Sequence, residues 1–153
     1  MEQIRYYGRS YDLNNEFDHI LDLKIHTLIQ SQEVPISLSE SWEFFSKPEN
    51  LNEITPPDLE FRITSGKPDP MHDGQIITYK IRVAPLIWNT WVTEIKGVIP
   101  EKQFIDEQRS GPYKFWHHLH EFEPTENGTL IKDKVNYSLP FGLIGNIAHS
   151  IYV

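Results

Sequence analysis

The sequence predicts an α+β fold, built on one curved antiparallel sheet of about seven strands with helices at its ends. Most of the chain after Pro57 alternates apolar and polar side chains, which is the pattern of half-buried strands. These strands follow one another with short turns between them, which favours an antiparallel meander. Apolar residues at helical spacing occur just before Pro57 and again after Pro140.

The segment 24–34, KIHTLIQSQEV, alternates in polarity and is the first predicted strand. Ser37 followed by Glu40 is the pattern of a capping box, which starts a helix. A second short helix is predicted to begin at Ser46 and to end at Pro56-Pro57. Two short helices therefore follow the first strand.

Six further strands are predicted from segments with a period of two. They cover residues 59–66, 75–85, 88–100, 103–111, 114–124 and 128–140. Asn127-Gly128 is a strong hairpin signal between the last two. After Pro140, the helical spacing of Leu143, Ile147 and Ile151 predicts a C-terminal helix.

The composition limits the classes of function. A chain of 153 residues with a net charge of −8 and no basic run is not expected to bind nucleic acid or an anionic membrane surface. It has no cysteine, so disulfides, Cys-based zinc sites and a cysteine nucleophile are excluded. No signal peptide and no apolar run long enough to cross a bilayer is found, which predicts a cytoplasmic protein without membrane insertion. We expect an N-terminal arm over 1–22 and a single domain over 23–153.

Five phrases of the sequence resemble one known group of proteins. They are PISLSESWEFFSKPENLNEITPP, GQIITYKI, TWVTEI, FIDEQRSGPYKFWHHLHEF and GTLIKDKVNYSLPFG. They are similar to bacterial SRPBCC proteins labelled polyketide cyclase/dehydrase-like or "cell division inhibitor", in the START-like (Bet v 1-like) superfamily. The resemblance covers roughly residues 24–149.

The resemblance implies a helix-grip fold, in which the sheet wraps around a long C-terminal helix and encloses a cavity for a hydrophobic small molecule. Members of the superfamily carry lipids, sterols or quinones, and some cyclise polyketides. This chain departs from the pattern because its last predicted helix stops at Val153 and is shortened. We therefore expect a truncated chain, a pocket open on one side, or a partner subunit that fills the gap, as in a homodimer.

The stretch GPYKFWHHLHEFEP (111–124) concentrates histidines among aromatic residues. Alternation puts Trp116, His118, His120 and Phe122 on one face of a strand. The hairpin signal then brings the face that carries Asp133 beside them, so we expect His118 or His120 to lie near Asp133.

Three interpretations of this group remain open. A hydrogen-bonded network can hold the shape of the sheet, and the same groups can form the polar end of a ligand pocket. A histidine oriented by an aspartate can also act as a general base in a cyclase or dehydratase, for which His118, His120 and Asp133 are the candidates. No metal site is predicted, because only Asp133 offers a third ligand beside His118 and His120.

The leading hypothesis is binding of a hydrophobic or aromatic small molecule (a lipid, polyketide or quinone-like compound) without catalysis. The alternatives are the enzyme described above and a protein-interaction module. No nucleotide or other cofactor is expected, because the chain has no Gly-rich phosphate loop. The predicted ligand-binding residues are Tyr79, Trp91, Gln108, Trp116, His118, His120, Asp133 and Tyr137.

Overall fold

The computed structural model describes residues 25–50, 53, 60–66, 69–84 and 87–139. Its strands are β1 (His26–Val34), β2 (Phe61–Ile63), β3 (Ile76–Ala84), β4 (Ile87–Ile99), β5 (Gln103–Ser110), β6 (Phe115–Pro124) and β7 (Thr129–Ser138). One α-helix, α1 (Leu38–Phe45), and one 3₁₀ turn (Pro48–Asn50) complete the described elements. The predicted N-terminal arm and the predicted C-terminal helix lie outside the described residues.

The seven strands form one antiparallel sheet in the order β1-β7-β6-β5-β4-β3-β2. Strands β2 to β7 are a meander in which each strand pairs with the next, as predicted. Strand β1 instead pairs with β7, with His26 opposite Tyr137 and Val34 opposite Thr129. Register shifts within the β3–β4 and β4–β5 pairs mark bulges, which bend strands and increase their twist.

The helical region after β1 agrees with the sequence in its first half. Ser37 caps α1 with the predicted capping box, since its hydroxyl accepts from the backbone N–H of Glu40 and the Glu40 side chain accepts from the Ser37 N–H. The predicted second helix is seen as the 3₁₀ turn at Pro48–Asn50. Most of the residues predicted to continue it lie outside the described part of the chain.

One face of the sheet, here called the buried face, carries the core. Its larger cluster contains Ile77, Tyr79, Ile81, Trp91, Ile95, Trp116 and Val135. A second cluster of Phe104, Phe122 and Ile131 packs against Trp42 and Phe45 of α1. The alternation predicted for β3 and β4 is therefore confirmed, and α1 lies over the buried face beside β5, β6 and β7. In β1, Leu28 packs on the core whereas Ile29 is exposed.

Gly128 at the β6–β7 turn is a position where we expect a side chain to be costly. Its φ is +152°, and a Cβ there would lie 2.1 Å from the Val34 carbonyl oxygen. Gly128→Ala should therefore lower the free energy of unfolding by about 3 kcal/mol, through an unfavourable backbone conformation and a clash with β1. Gly74→Ala is the matched control, because Gly74 also has a positive φ, +79°, but has open space around the added Cβ.

In the Gly74→Ala control, the free energy of unfolding should fall by only about 1 kcal/mol, which is the cost of the left-handed conformation alone. Urea unfolding followed by circular dichroism measures both variants. Equal losses in the two variants would contradict the close approach of β1 to this turn.

Candidate functional site

Four ionisable side chains from three adjacent strands meet on the buried face, and we call them the His/Asp cluster: Asp106, His118, His120 and Asp133. Asp106 of β5 lies opposite His118 of β6, and His120 of β6 lies opposite Asp133 of β7. Because residues directly opposite each other in neighbouring strands point to the same side of the sheet, the register alone brings all four together.

Each imidazole of the cluster lies between the two carboxylates. His118 Nε2 is 2.9 Å from Asp133 Oδ1, and its Nδ1 is 3.4 Å from Asp106 Oδ2. His120 Nε2 is 3.0 Å from Asp106 Oδ2, and its Nδ1 is 2.9 Å from Asp133 Oδ1. The two imidazole rings pack against each other at a tilt, with 3.7 Å between their centroids and 35° between their planes. The sequence predicted that His118 or His120 would lie near Asp133, and in the structure both do.

Aromatic residues fix the position of the cluster on two sides. The indole Nε1–H of Trp116 donates to Asp106 Oδ1 at 2.8 Å. The ring of Phe104 stacks on His120 with 4.2 Å between centroids, and the Trp116 ring meets His118 edge to face at 5.9 Å. The four cluster side chains nevertheless keep between 14% and 25% of their surface exposed.

The close contacts change the pKa values of three cluster members. Burial alone would raise the pKa of Asp106 and of Asp133, but hydrogen bonds from His118 and His120 outweigh it and hold both pKa values well below their usual range. Burial would lower the pKa of His118, but its hydrogen bonds to Asp106 and Asp133 raise it to about 9. At neutral pH the cluster therefore contains two carboxylates and the imidazolium of His118, which compensates part of their negative charge.

A group of aromatic rings continues from the cluster along the buried face. The rings of Trp91 and Trp116 meet edge to face with 5.2 Å between their centroids. The ring centroid of Tyr113 lies 4.8 Å from that of Trp116 and 6.1 Å from that of Tyr137. Tyr79 is deeply buried, which raises the pKa of its hydroxyl group, so this group stays protonated. The face thus combines a large aromatic area with one concentrated polar region.

All eight residues predicted to bind a ligand lie in strands at positions that point to this face, and their roles in binding stay predictions. Gln108 differs from the rest because its side chain is already engaged. Its Nε2 donates to the Tyr113 carbonyl at 2.6 Å and its Oε1 accepts from the Tyr113 N–H at 3.3 Å, which braces the β5–β6 turn. Arg109 points to the other face and forms an ion pair with Glu94.

Asp106 is the member of the cluster that the sequence prediction did not include among the site residues. The signal for it is the alternation of β5, in which Phe104 is buried and Asp106 lies two residues further along the same face. His117 lies on the opposite face of β6 and is half-buried.

Comparisons with known proteins identify the fold. No protein-family model matches the sequence, and no curated protein gives a significant sequence match. Several solved structures are similar. A START superfamily protein from Mycobacterium smegmatis is 13% identical, with a TM-score of 0.61 over 82% of this chain and 88% of that chain. The ZhuI aromatase/cyclase from Streptomyces sp. R1128 is 13% identical, with a TM-score of 0.64 over 84% of both chains.

A third similar structure, Ara h 8.0201, is 13% identical, with a TM-score of 0.61 over 84% of this chain and 88% of that chain. At these identities the likeness concerns the fold. The chain therefore has a START-like, Bet v 1-like fold, and the fold predicted from the sequence is confirmed. In the part of the chain that the structure describes, no helix is long and apolar enough to span a bilayer.

Proposed function

We propose that this protein binds a hydrophobic or aromatic small molecule, of the lipid, polyketide or quinone-like class, against the buried face of the sheet. The observation that carries the proposal is the His/Asp cluster, which is partly exposed and lies beside the aromatic rings of Trp91, Tyr113 and Trp116. Ligand pockets are mostly apolar and contain a few polar groups that orient the ligand. The ZhuI aromatase/cyclase, which has the same fold, supports a small-molecule role for such a face.

The contacts within the cluster indicate which ligand group it would recognise. Both imidazoles are engaged with carboxylates, and the contacts of Asp133 with them use its Oδ1 atom. We assign Asp133 Oδ2 as the acceptor for a hydroxyl group of the ligand. A hydrogen bond to a charged acceptor contributes about 1.5–3 kcal/mol, which corresponds to roughly 10- to 150-fold in affinity.

A pair of aromatic probes tests this function directly. The purified chain, stripped of metal with chelator, should bind 2-naphthol at least about tenfold more tightly than 2-methoxynaphthalene, because only the naphthol can donate to Asp133. In Asp133→Asn this preference should fall to less than about threefold. Thr90→Ala is the control, since Thr90 lies in β4 on the opposite face from Trp91 and should keep the preference.

Quenching of tryptophan fluorescence follows binding of both probes, because Trp91 and Trp116 lie at the proposed site. Failure of both probes to bind at about 1 mM, a concentration that detects binding free energies of about −4 kcal/mol or stronger, would contradict the proposal. Native mass spectrometry of the freshly purified chain should also detect a copurified small molecule that organic extraction removes.

A cyclase or dehydratase that uses His118 or His120 with Asp133 is the second candidate, and the hydrogen bond between His118 and Asp133 favours it. The raised pKa of His118, about 9, means that this imidazole is protonated near neutral pH. It is therefore better suited to donate a proton than to abstract one. The expected homodimer, the protein-interaction role, the cytoplasmic location and the exclusion of nucleic acid as a partner stay predictions from the sequence.

A further inference from the structure

We propose that Asp106, His118 and His120 bind a divalent transition-metal ion, with Zn²⁺ as the representative ion and Asp133 as the carboxylate that supports the two imidazoles. This inference goes beyond the proposed binding of a small molecule and does not depend on it. It differs from the sequence prediction, which expected no metal site and considered Asp133, not Asp106, as the third ligand.

The distances within the cluster fit a shared ion. One ligand-type atom from each of the three residues lies within 4.8 Å of the other two. Asp106 Oδ2 is 3.0 Å from His120 Nε2 and 3.4 Å from His118 Nδ1. Two ligands that each lie about 2.0–2.1 Å from one zinc ion in tetrahedral geometry are roughly 3.3 Å apart. The 3.4 Å between His118 Nδ1 and Asp106 Oδ2 is close to this spacing of two ligands of one ion.

The remaining nitrogen of each imidazole provides the second argument. His118 Nε2 and His120 Nδ1 both lie 2.9 Å from Asp133 Oδ1. Histidines that bind a metal usually donate their other ring N–H to a carboxylate, which fixes the tautomer and orients the ring. Asp133 occupies this position for both histidines at once. The indole of Trp116 similarly holds Asp106 by its Oδ1, which leaves the Oδ2 atom directed at the histidines.

Charge and ligand type define the class of ion. Binding of the ion displaces the proton of the His118 imidazolium, which is released to solvent. The two neutral imidazoles and two carboxylates then carry a charge of −2, which a divalent cation neutralises without any further protein group. Two nitrogen ligands and one carboxylate oxygen suit zinc and neighbouring transition metals, whereas Mg²⁺ and Ca²⁺ prefer oxygen ligands alone. The partial exposure of the cluster allows water to occupy a fourth position.

Isothermal titration of the chelator-treated full chain, without an affinity tag, tests the proposal. Zn²⁺ should bind in a 1:1 ratio with a dissociation constant below about 10 µM, and Mg²⁺ should bind at least about 100-fold more weakly. Asp106→Asn and His118→Asn should each weaken Zn²⁺ binding by at least about 100-fold. Asp133→Asn should weaken it by about 10- to 100-fold, the usual effect of losing an outer carboxylate. His72→Asn is the control, because His72 is exposed and lies between β2 and β3, outside the cluster.

A second measurement uses the wild-type chain alone and keeps the test valid if a variant does not fold. In ¹⁵N spectra of the imidazoles, one equivalent of Zn²⁺ should shift the resonances of His118 Nδ1 and His120 Nε2 and leave those of His72 unchanged. The proposal is overturned if no 1:1 binding is found, or if the shifts occur only at other histidines. Because naphthol binding is measured on metal-free protein, its outcome is independent of this one.

Discussion

Phe122→Ala is expected to lower the free energy of unfolding by about 3–5 kcal/mol, the range for truncating a fully buried aromatic side chain. Phe122 is 2% exposed. Its ring packs against three other aromatic rings, with centroid distances of 5.6 Å to Trp42, 5.8 Å to Phe45 and 6.2 Å to Phe104. Two of these partners belong to α1 and one to β5. The variant therefore loses the burial of the ring and opens a cavity where the helix meets the sheet.

Phe115→Ala provides the matched control in the same strand. Phe115 lies on the opposite face of β6 and is exposed, so its replacement should cost less than about 1 kcal/mol. Urea unfolding monitored by circular dichroism compares the two variants. Similar losses for Phe115 and Phe122 would mean that α1 does not cover this part of the sheet. In Phe122→Ala, amide exchange in α1 should also become faster than in the wild type.

Asp106→Ala is expected to lower the free energy of unfolding by about 2–4 kcal/mol in chelator-treated protein. Removal of one partner from a fully buried ion pair costs about 3–5 kcal/mol, and the partial exposure of this cluster reduces the effect. The variant takes away the carboxylate that His118 and His120 face and that accepts the indole N–H of Trp116. It also leaves the two imidazoles, whose ring centroids are 3.7 Å apart, with Asp133 as the one carboxylate of the cluster that can pair with them.

The neighbouring residue in β5 gives the control for this prediction. Glu107 points to the opposite face and pairs with Lys96 and Arg109 at the surface, so Glu107→Ala should cost about 0–1 kcal/mol. Thermal unfolding and urea unfolding both measure the difference. Asp106→Asn should recover part of the loss, because the amide oxygen still accepts from Trp116. A loss in Asp106→Ala no larger than in Glu107→Ala would show that the network does not stabilise the fold.

Much of the fold could be predicted because the sheet is a meander. Alternation sets which side chains of β3, β4, β6 and β7 are buried, and short turns set which strands pair. The approach of His118 and His120 to Asp133 follows from two local facts, the alternation of β6 and the hairpin at Asn127-Gly128. The pairing of β1 with β7 has no such local cause, because it joins segments about 100 residues apart, and turn geometry does not act over that distance.

The missing site residue has a different explanation. Asp106 begins a run of five polar residues, DEQRS, in which alternation is not visible because no apolar residue interrupts it. The two residues before the run, Phe104 and Ile105, are both apolar, so the sequence does not decide which face of the strand carries Asp106. The interaction of Asp106 with His120 also requires the register between β5 and β6, which the longer turn at residues 111–114 leaves open from sequence alone.

The partnership of β1 with β7 affects the order in which the chain can fold during synthesis. Strand β1 leaves the ribosome first, but the strand beside it in the finished sheet arrives about 100 residues later, or roughly 5–20 s at usual elongation rates. Strands β2 to β7 can pair with their sequence neighbours as they emerge, at a much smaller entropic cost. We therefore expect β1 to join the sheet last, so that weakening β1 mainly accelerates unfolding and changes the folding rate little.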